Sequence, residues 1–128
     1  MNAEEVQATP DVMYGEFLVN STLATMLFDS DTSHSFVSTC FVLKKSLRIV
    51  LLPTPLLIQT PRAVLKCTLK CPRVKIMIDG VEFQAYLVVL KAEGLDIIQG
   101  MDWLKRHHGT ISCSDRAVTL INHNGIKV

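Results

Sequence analysis

Apolar and polar residues alternate along most of the chain, the two-residue period of half-buried strands. The stretch "GEFLVNSTLATMLFDS" offers two β-rich runs, Glu16 to Val19 and Thr22 to Phe28, and polar Asn20 and Ser21 between them suit a hairpin turn. "VLKCTLKC" and "RVKIMIDGVEFQAYLVVL" follow as strands. Val74, Ile76 and Ile78 alternate with Lys75 and Met77, Asp79 with Gly80 supplies a two-residue turn, and Val81, Phe83, Ala85, Leu87 and Val89 resume the pattern. "TISCSDRAVTLINHNGIKV" repeats it, with a turn at Asn124 and Gly125. Only two segments read as helical. "HSFVSTCFVLKKS" would gather Phe36, Val37, Cys40, Phe41 and Leu43 on one side, and "GMDWLKRH" is short. The pattern predicts an all-β fold with one or two short helices.

Size and charge narrow the function classes. A chain of 128 residues, 48% hydrophobic with net charge +1, suits one compact domain. Lys and Arg are scattered rather than gathered into a stripe, so no nucleic-acid partner is expected. The most apolar run, "RIVLLPTPLLIQTP", carries Pro53, Pro55 and Pro61 and is too short to span a membrane. The opening "MNAEEVQATPDV" lacks the basic start and apolar stretch of a signal peptide, and a cytoplasmic setting is expected. In that setting Cys40, Cys67, Cys71 and Cys113 read as thiols rather than disulfides, and the Cys67–Cys71 spacing is not that of a zinc site. Cys67 and Cys71 would share one strand face. The side chains of adjacent His107 and His108 would diverge, so both read as solvated and no metal site is expected.

Two blocks carry more specific information. "MLFDSDTSHSFVS" spans Met26 to Ser38, and "GLDIIQGMDWL" spans Gly94 to Leu104. Together they resemble the retropepsin-like aspartic proteases of gypsy-type LTR retrotransposons and their domesticated plant relatives. "GEFLVN", "IQTP", "CPRVKIMIDGVEFQAYLVVL" and "HHGTISC" stand in the family's order, so the resemblance runs from Gly15 to about Ile121. It implies a closed β-barrel protomer that dimerises, with residues 14–122 as the protease domain, 1–13 as a flexible lead and 123–128 as an extension of the last hairpin.

By that resemblance Asp29 is the catalytic acid and Ser30 braces the two loops across a two-fold axis. One such block per chain requires a homodimer, in which two carboxylates share a proton, one as base toward water and the other donating to the scissile carbonyl. Phe28, Asp31, Thr32 and Ser33 complete the active-site loop, and Ile97, Ile98 and Gly100 support it from behind. Trp103 would be buried, and Asp102 would be a helix-start charge rather than a second catalytic acid. His34 would make structural hydrogen bonds. The flap would be the hairpin in "LLIQTPRAVLKCTL", its tip and substrate groove at Thr60, Pro61, Arg62, Ala63 and Val64. The implied partner is a polypeptide, and no cofactor is implied.

Four residues, at three places in the chain, depart from the family's pattern. Asp31 stands where the family has the glycine of its DSG turn, Arg62 and Ala63 replace flap glycine, and Gln99 replaces an apolar residue. In a dimer Asp31 would place four carboxylates near one axis, where charges about 7 Å apart at an effective dielectric of 20 repel by about 2 kcal/mol. Alternatively Asp31 would cap a helix starting at Thr32 or Ser33, its side chain turned from the axis. Two functions therefore stay open, an aspartic endopeptidase and a catalytically impaired pseudoprotease that binds a peptide or protein as a dimer. A plain dimerisation domain of a larger polyprotein is a third.

Overall fold

The computed structural model describes residues 12–59, 63–91, 94–112 and 117–121. Strands β1 (Val12–Val19) and β2 (Thr22–Asp29) form an antiparallel hairpin, paired from Val19↔Thr22 to Val12↔Asp29. β1 thus begins inside the stretch expected as lead. Asn20 and Ser21 turn the chain with φ of 48° and 70°, a primed turn whose twist matches the strands it joins. Asn20 also anchors the turn, donating its backbone N–H to Lys75 O (2.8 Å) and accepting from Lys75 N at Oδ1 (3.0 Å). Along β2, Ala24, Met26 and Phe28 are buried while the residues between them are not, the period-two signature of a strand with one face on the core.

The segment expected as a helix from His34 divides in two. Phe36–Ser38 is a strand, β3, buried throughout and held between β6 (Val81–Leu90), to which it is parallel, and β7 (Ile97–Gln99), to which it is antiparallel. Ladder bonds on both sides satisfy its backbone, which outweighs the weak local preference of three residues. Helix α1 covers only Thr39–Lys45. Ser38 caps it, accepting from Phe41 N at 3.1 Å, and Ser46 ends it in the left-handed region. Phe41 and Val42 are its buried pair, whereas Cys40 and Leu43 are exposed, contrary to the expected apolar side.

β4 (Val50–Gln59) and β5 (Val64–Ile78) make a long hairpin. Pro53 and Pro55 donate no N–H, and the pairing slips between Leu51 and Leu56, the behaviour of an edge strand. β5 serves β4 with its first half and β6 with its second, shifting register around Pro72 and Arg73. Asp79 and Gly80 join β5 to β6 with φ of 51° and 78°, the expected primed turn. β7 lies parallel to β2, and helix α2 (Met101–Arg106) follows it directly. The order is β1-β2-β7-β3-β6-β5-β4, and β1 also pairs with β5 through Leu18↔Met77 and Val19↔Ile76. A separate ribbon of β8 (Thr110–Ser112) and β9 (Ala117–Thr119) completes the described elements. Cys113 and the Asn124–Gly125 turn lie outside the described residues. Among the described residues no helix is long and apolar enough to cross a membrane.

The core gathers Met26, Phe28, Ile76, Phe83, Leu87, Ile97, Trp103 and Leu104. Phe28 packs edge-on to Phe17 (5.6 Å between ring centroids) and lies 5.8 Å from Trp103, so two aromatic rings hold the last apolar side chain before Asp29. Trp103 is buried, as expected. His107 is not solvated: it is 5% exposed, its ring stands edge-on to Phe83 at 5.1 Å, and its Nε2 lies 3.1 Å from Gln84 O. The carbonyl partner is what permits the ring to be buried. His108, the next residue, is exposed with φ of 51° where α2 ends. Cys67 and Cys71 share one face of β5, both buried.

Candidate active site

β2 delivers Asp29 to a tight turn in which Thr32 N donates to Asp29 O (3.3 Å). Each carboxylate oxygen of Asp29 meets a donor from the same loop. Asp31 N–H donates to Oδ1 at 2.9 Å, and the Thr32 hydroxyl donates to Oδ2 at 3.1 Å. The carboxylate is thus held in one orientation before any ligand arrives, a form of preorganisation. Ser30 sits half-buried at the bend.

Asp31 keeps the amide donor that this position supplies, and its φ does not lie in the left-handed region. A Cβ is therefore carried there without backbone strain, and the side chain is exposed. The alternative of a helix capped by Asp31 does not hold, because no helix starts at Thr32 or Ser33 and α1 takes its cap from Ser38.

Behind the loop, Ile97, Ile98 and Gly100 stand on or just after β7. Leu27 pairs with Ile98 and Phe28 with Gln99 across the parallel β2–β7 ladder. Ile97 is fully buried in the core, while Ile98 faces the groove. A Cβ on Gly100 would stand 2.6 Å from Thr32 O and closer still to His34 O, both backbone atoms, so only glycine lets β7 pass beneath the loop. Gln99 is fully buried and neither its Nε2 nor its Oε1 has a hydrogen-bond partner. Such an orphaned amide costs about 1–3 kcal/mol.

A groove of about 420 Å³ lies between the loop and β4. Asp31, Thr32, Ser33 and His34 form one side, Phe36, Leu90 and Ile98 the apolar floor, and Leu57, Ile58 and Gln59 the opposite wall. His34 Nδ1 lies 3.1 Å from Ser33 Oγ. Of the residues expected at the flap, Thr60, Pro61 and Arg62 lie outside the described residues, and exposed Ala63 and Val64 do not line this cavity. Leu57, Ile58 and Gln59 belong to the hairpin expected as the flap, but the groove residues named from the sequence stood at its tip, Thr60 to Val64, because how far the β4 arm folds back over the loop leaves no local mark. Burial pushes the Cys71 thiol up to about 11 and raises Cys67 as well, so neither is a ready nucleophile near neutral pH.

The sequence profile of the retroviral aspartyl protease family matches residues 1–125. The chain belongs to that family. Among curated proteins, none matches it significantly. In structure the chain is similar to the retroviral protease-like domain of Ddi1 from Leishmania major, with a TM-score of 0.66 and 19% identity over 87% of this chain and 85% of that one. It is also similar to the EIAV protease complexed with the inhibitor HBY-793, with a TM-score of 0.59 and 19% identity over 72% of this chain and 84% of that one. The fold is therefore retropepsin-like, mostly β with two short helices.

Proposed function

We propose that this domain is an aspartic endopeptidase that works as a homodimer, each protomer contributing Asp29 to a shared pair. The observation that carries this reading is the Asp29 carboxylate, held at both oxygens by Asp31 N–H and the Thr32 hydroxyl beside an open groove. Across a two-fold axis two such groups share one proton. One takes a proton from water as it attacks the peptide carbonyl, and the other donates to the carbonyl oxygen. Water and two carboxyl groups suffice, without a cofactor. The groove takes an extended polypeptide, whose alternating side chains meet Phe36 and Ile98 on the floor and Leu57 and Gln59 on the wall. The two sequence blocks favour a gypsy-type retrotransposon origin or a domesticated plant descendant.

A second reading rests on Asp31. Its exposed carboxylate lines the groove next to Asp29 and brings extra negative charge to the axis, which favours a dimeric peptide-binding module that no longer cuts.

Cleavage of an unfolded protein, scanned from about pH 4 to about pH 7, separates the two when run on the natural domain, Asp29→Asn and Asp31→Gly, with dimer fractions measured by sedimentation. The endopeptidase reading expects the natural domain to cut and Asp29→Asn to lose about a thousand-fold or more. A silent natural domain beside an active Asp31→Gly variant identifies a disabled protease and favours the binding module instead.

A further inference from the structure

Asp102 stands in the first turn of α2, where a carboxylate is welcome for its charge alone. Its contacts are more specific than that. Oδ1 accepts the Ser35 hydroxyl at 2.6 Å and Trp103 N at 2.6 Å, while Oδ2 accepts Ser35 N at 3.2 Å. Asp102 itself is exposed, but Ser35 is 1% exposed, so its N–H and hydroxyl depend on protein partners rather than water. The Ser35 hydroxyl in turn accepts from Gly100 N at 2.9 Å. Two further amides at the start of α2 reach the same loop, Met101 N donating to Thr32 O (2.6 Å) and Asp102 N to Ser33 O (3.2 Å). Thr32 is the residue whose hydroxyl donates to Asp29 Oδ2.

We infer that Asp102 and Ser35 are a positioning pair for Asp29. The Asp102 carboxylate, through Ser35, locks residues 32–35 against α2, and that lock aims the Thr32 hydroxyl at the reacting carboxylate. Three donors converge on Asp102, which only an acceptor-only group satisfies. Asparagine would turn an NH₂ toward one of them, and glutamate would keep the charge but carry its oxygens one methylene past Ser35. The consequence for turnover rests on the endopeptidase reading, whereas the lock itself does not.

The test uses the full chain with Asp102→Ala, Asp102→Glu, Ser35→Ala and the Ser35→Ala/Asp102→Ala double variant, read by amide hydrogen exchange and by cleavage. The amides of Phe83 and Leu87, in the core strand β6, report global opening. Expected in Asp102→Ala is exchange at Asp31 and Thr32 faster by about ten-fold beyond any change at Phe83 and Leu87. Alongside it kcat falls about ten-fold with KM within about two-fold. Asp102→Glu does not restore either, Ser35→Ala reproduces both, and the double variant is no worse than the worse single one. Equal acceleration at loop and core amides overturns the inference, since Asp102 would then only stabilise the fold. So does full rescue by glutamate, which would reduce Asp102 to a helix-start charge. If the natural domain cuts nothing, the endopeptidase reading fails, and exchange at Asp31 and Thr32 still decides the lock.

Discussion

Gln99 works against the fold at the edge of the site. Its neighbour on the ladder is Phe28, its side chain is sealed from water, and both amide atoms lack partners. A side chain of similar volume without polar atoms removes that penalty while leaving the packing nearly unchanged. Gln99→Met is therefore expected to stabilise the domain by about 1 kcal/mol, a rise in Tm of about 4 °C for a chain of this size, measured by calorimetry. An unchanged or lower Tm would mean that the amide has found a partner in solution. Asp31 is a different kind of departure. It is exposed, unstrained in backbone, and keeps the N–H that holds Asp29, so its effect is confined to charge at the groove.

At the scale of elements, glycines do two jobs that substitution tells apart. Gly80 turns the β5–β6 hairpin with φ of +78° and has open space where a Cβ would go. Gly100 does not have a left-handed φ, yet a Cβ there would run into the backbone of the Asp29 loop. Gly80→Ala is expected to cost about 1 kcal/mol through conformation alone, with the site intact. Gly100→Ala is expected to cost about 3 kcal/mol, because backbone cannot move aside as a flexible side chain does. Urea unfolding of both variants checks the ranking, and equal costs would refute the steric account. The Asn20–Ser21 and Asp79–Gly80 turns were legible in the sequence because turn chemistry is local. β3 was not, since three residues carry too little periodicity to tell a strand from the start of a helix.

Across the whole molecule, the buried face of β5 makes stability depend on alkali. The Cys71 thiol, raised by burial from 9.0 to about 11, stays protonated in the folded chain where the unfolded chain already loses its proton. The unfolded state then binds fewer protons, so stability falls as pH rises. The contribution is intact below about pH 9 and is expected to drain away between there and about pH 11, with Cys67 adding in the same direction. Urea midpoints across that interval measure it, and Cys71→Ala should flatten the slope. A natural domain with no slope there would contradict the burial of these thiols. Exposed Cys40 serves as the internal control, reacting with a thiol reagent in the folded state while Cys71 does not.

The sequence by itself determined the strand alternation, the places of the Asn20–Ser21 and Asp79–Gly80 turns, the mostly β class and the family, because each is written in residues close together or in two long blocks of fixed order. The place of Asp29 at the end of β2 followed from the same blocks. Tertiary structure decided what residues far apart do to one another. It buried His107 against Phe83 and beneath Gln84 O, although adjacent histidines look solvated in isolation. It made β3 a strand by flanking it with β6 and β7, and it brought the β4 wall of Leu57, Ile58 and Gln59 opposite the loop. It also joined Asp102 to Ser35 across 67 positions of sequence. A local pattern reports which face of an element is apolar, but whether a donor meets an acceptor depends on angstrom-scale placement of separate elements, and that exists only once they have packed.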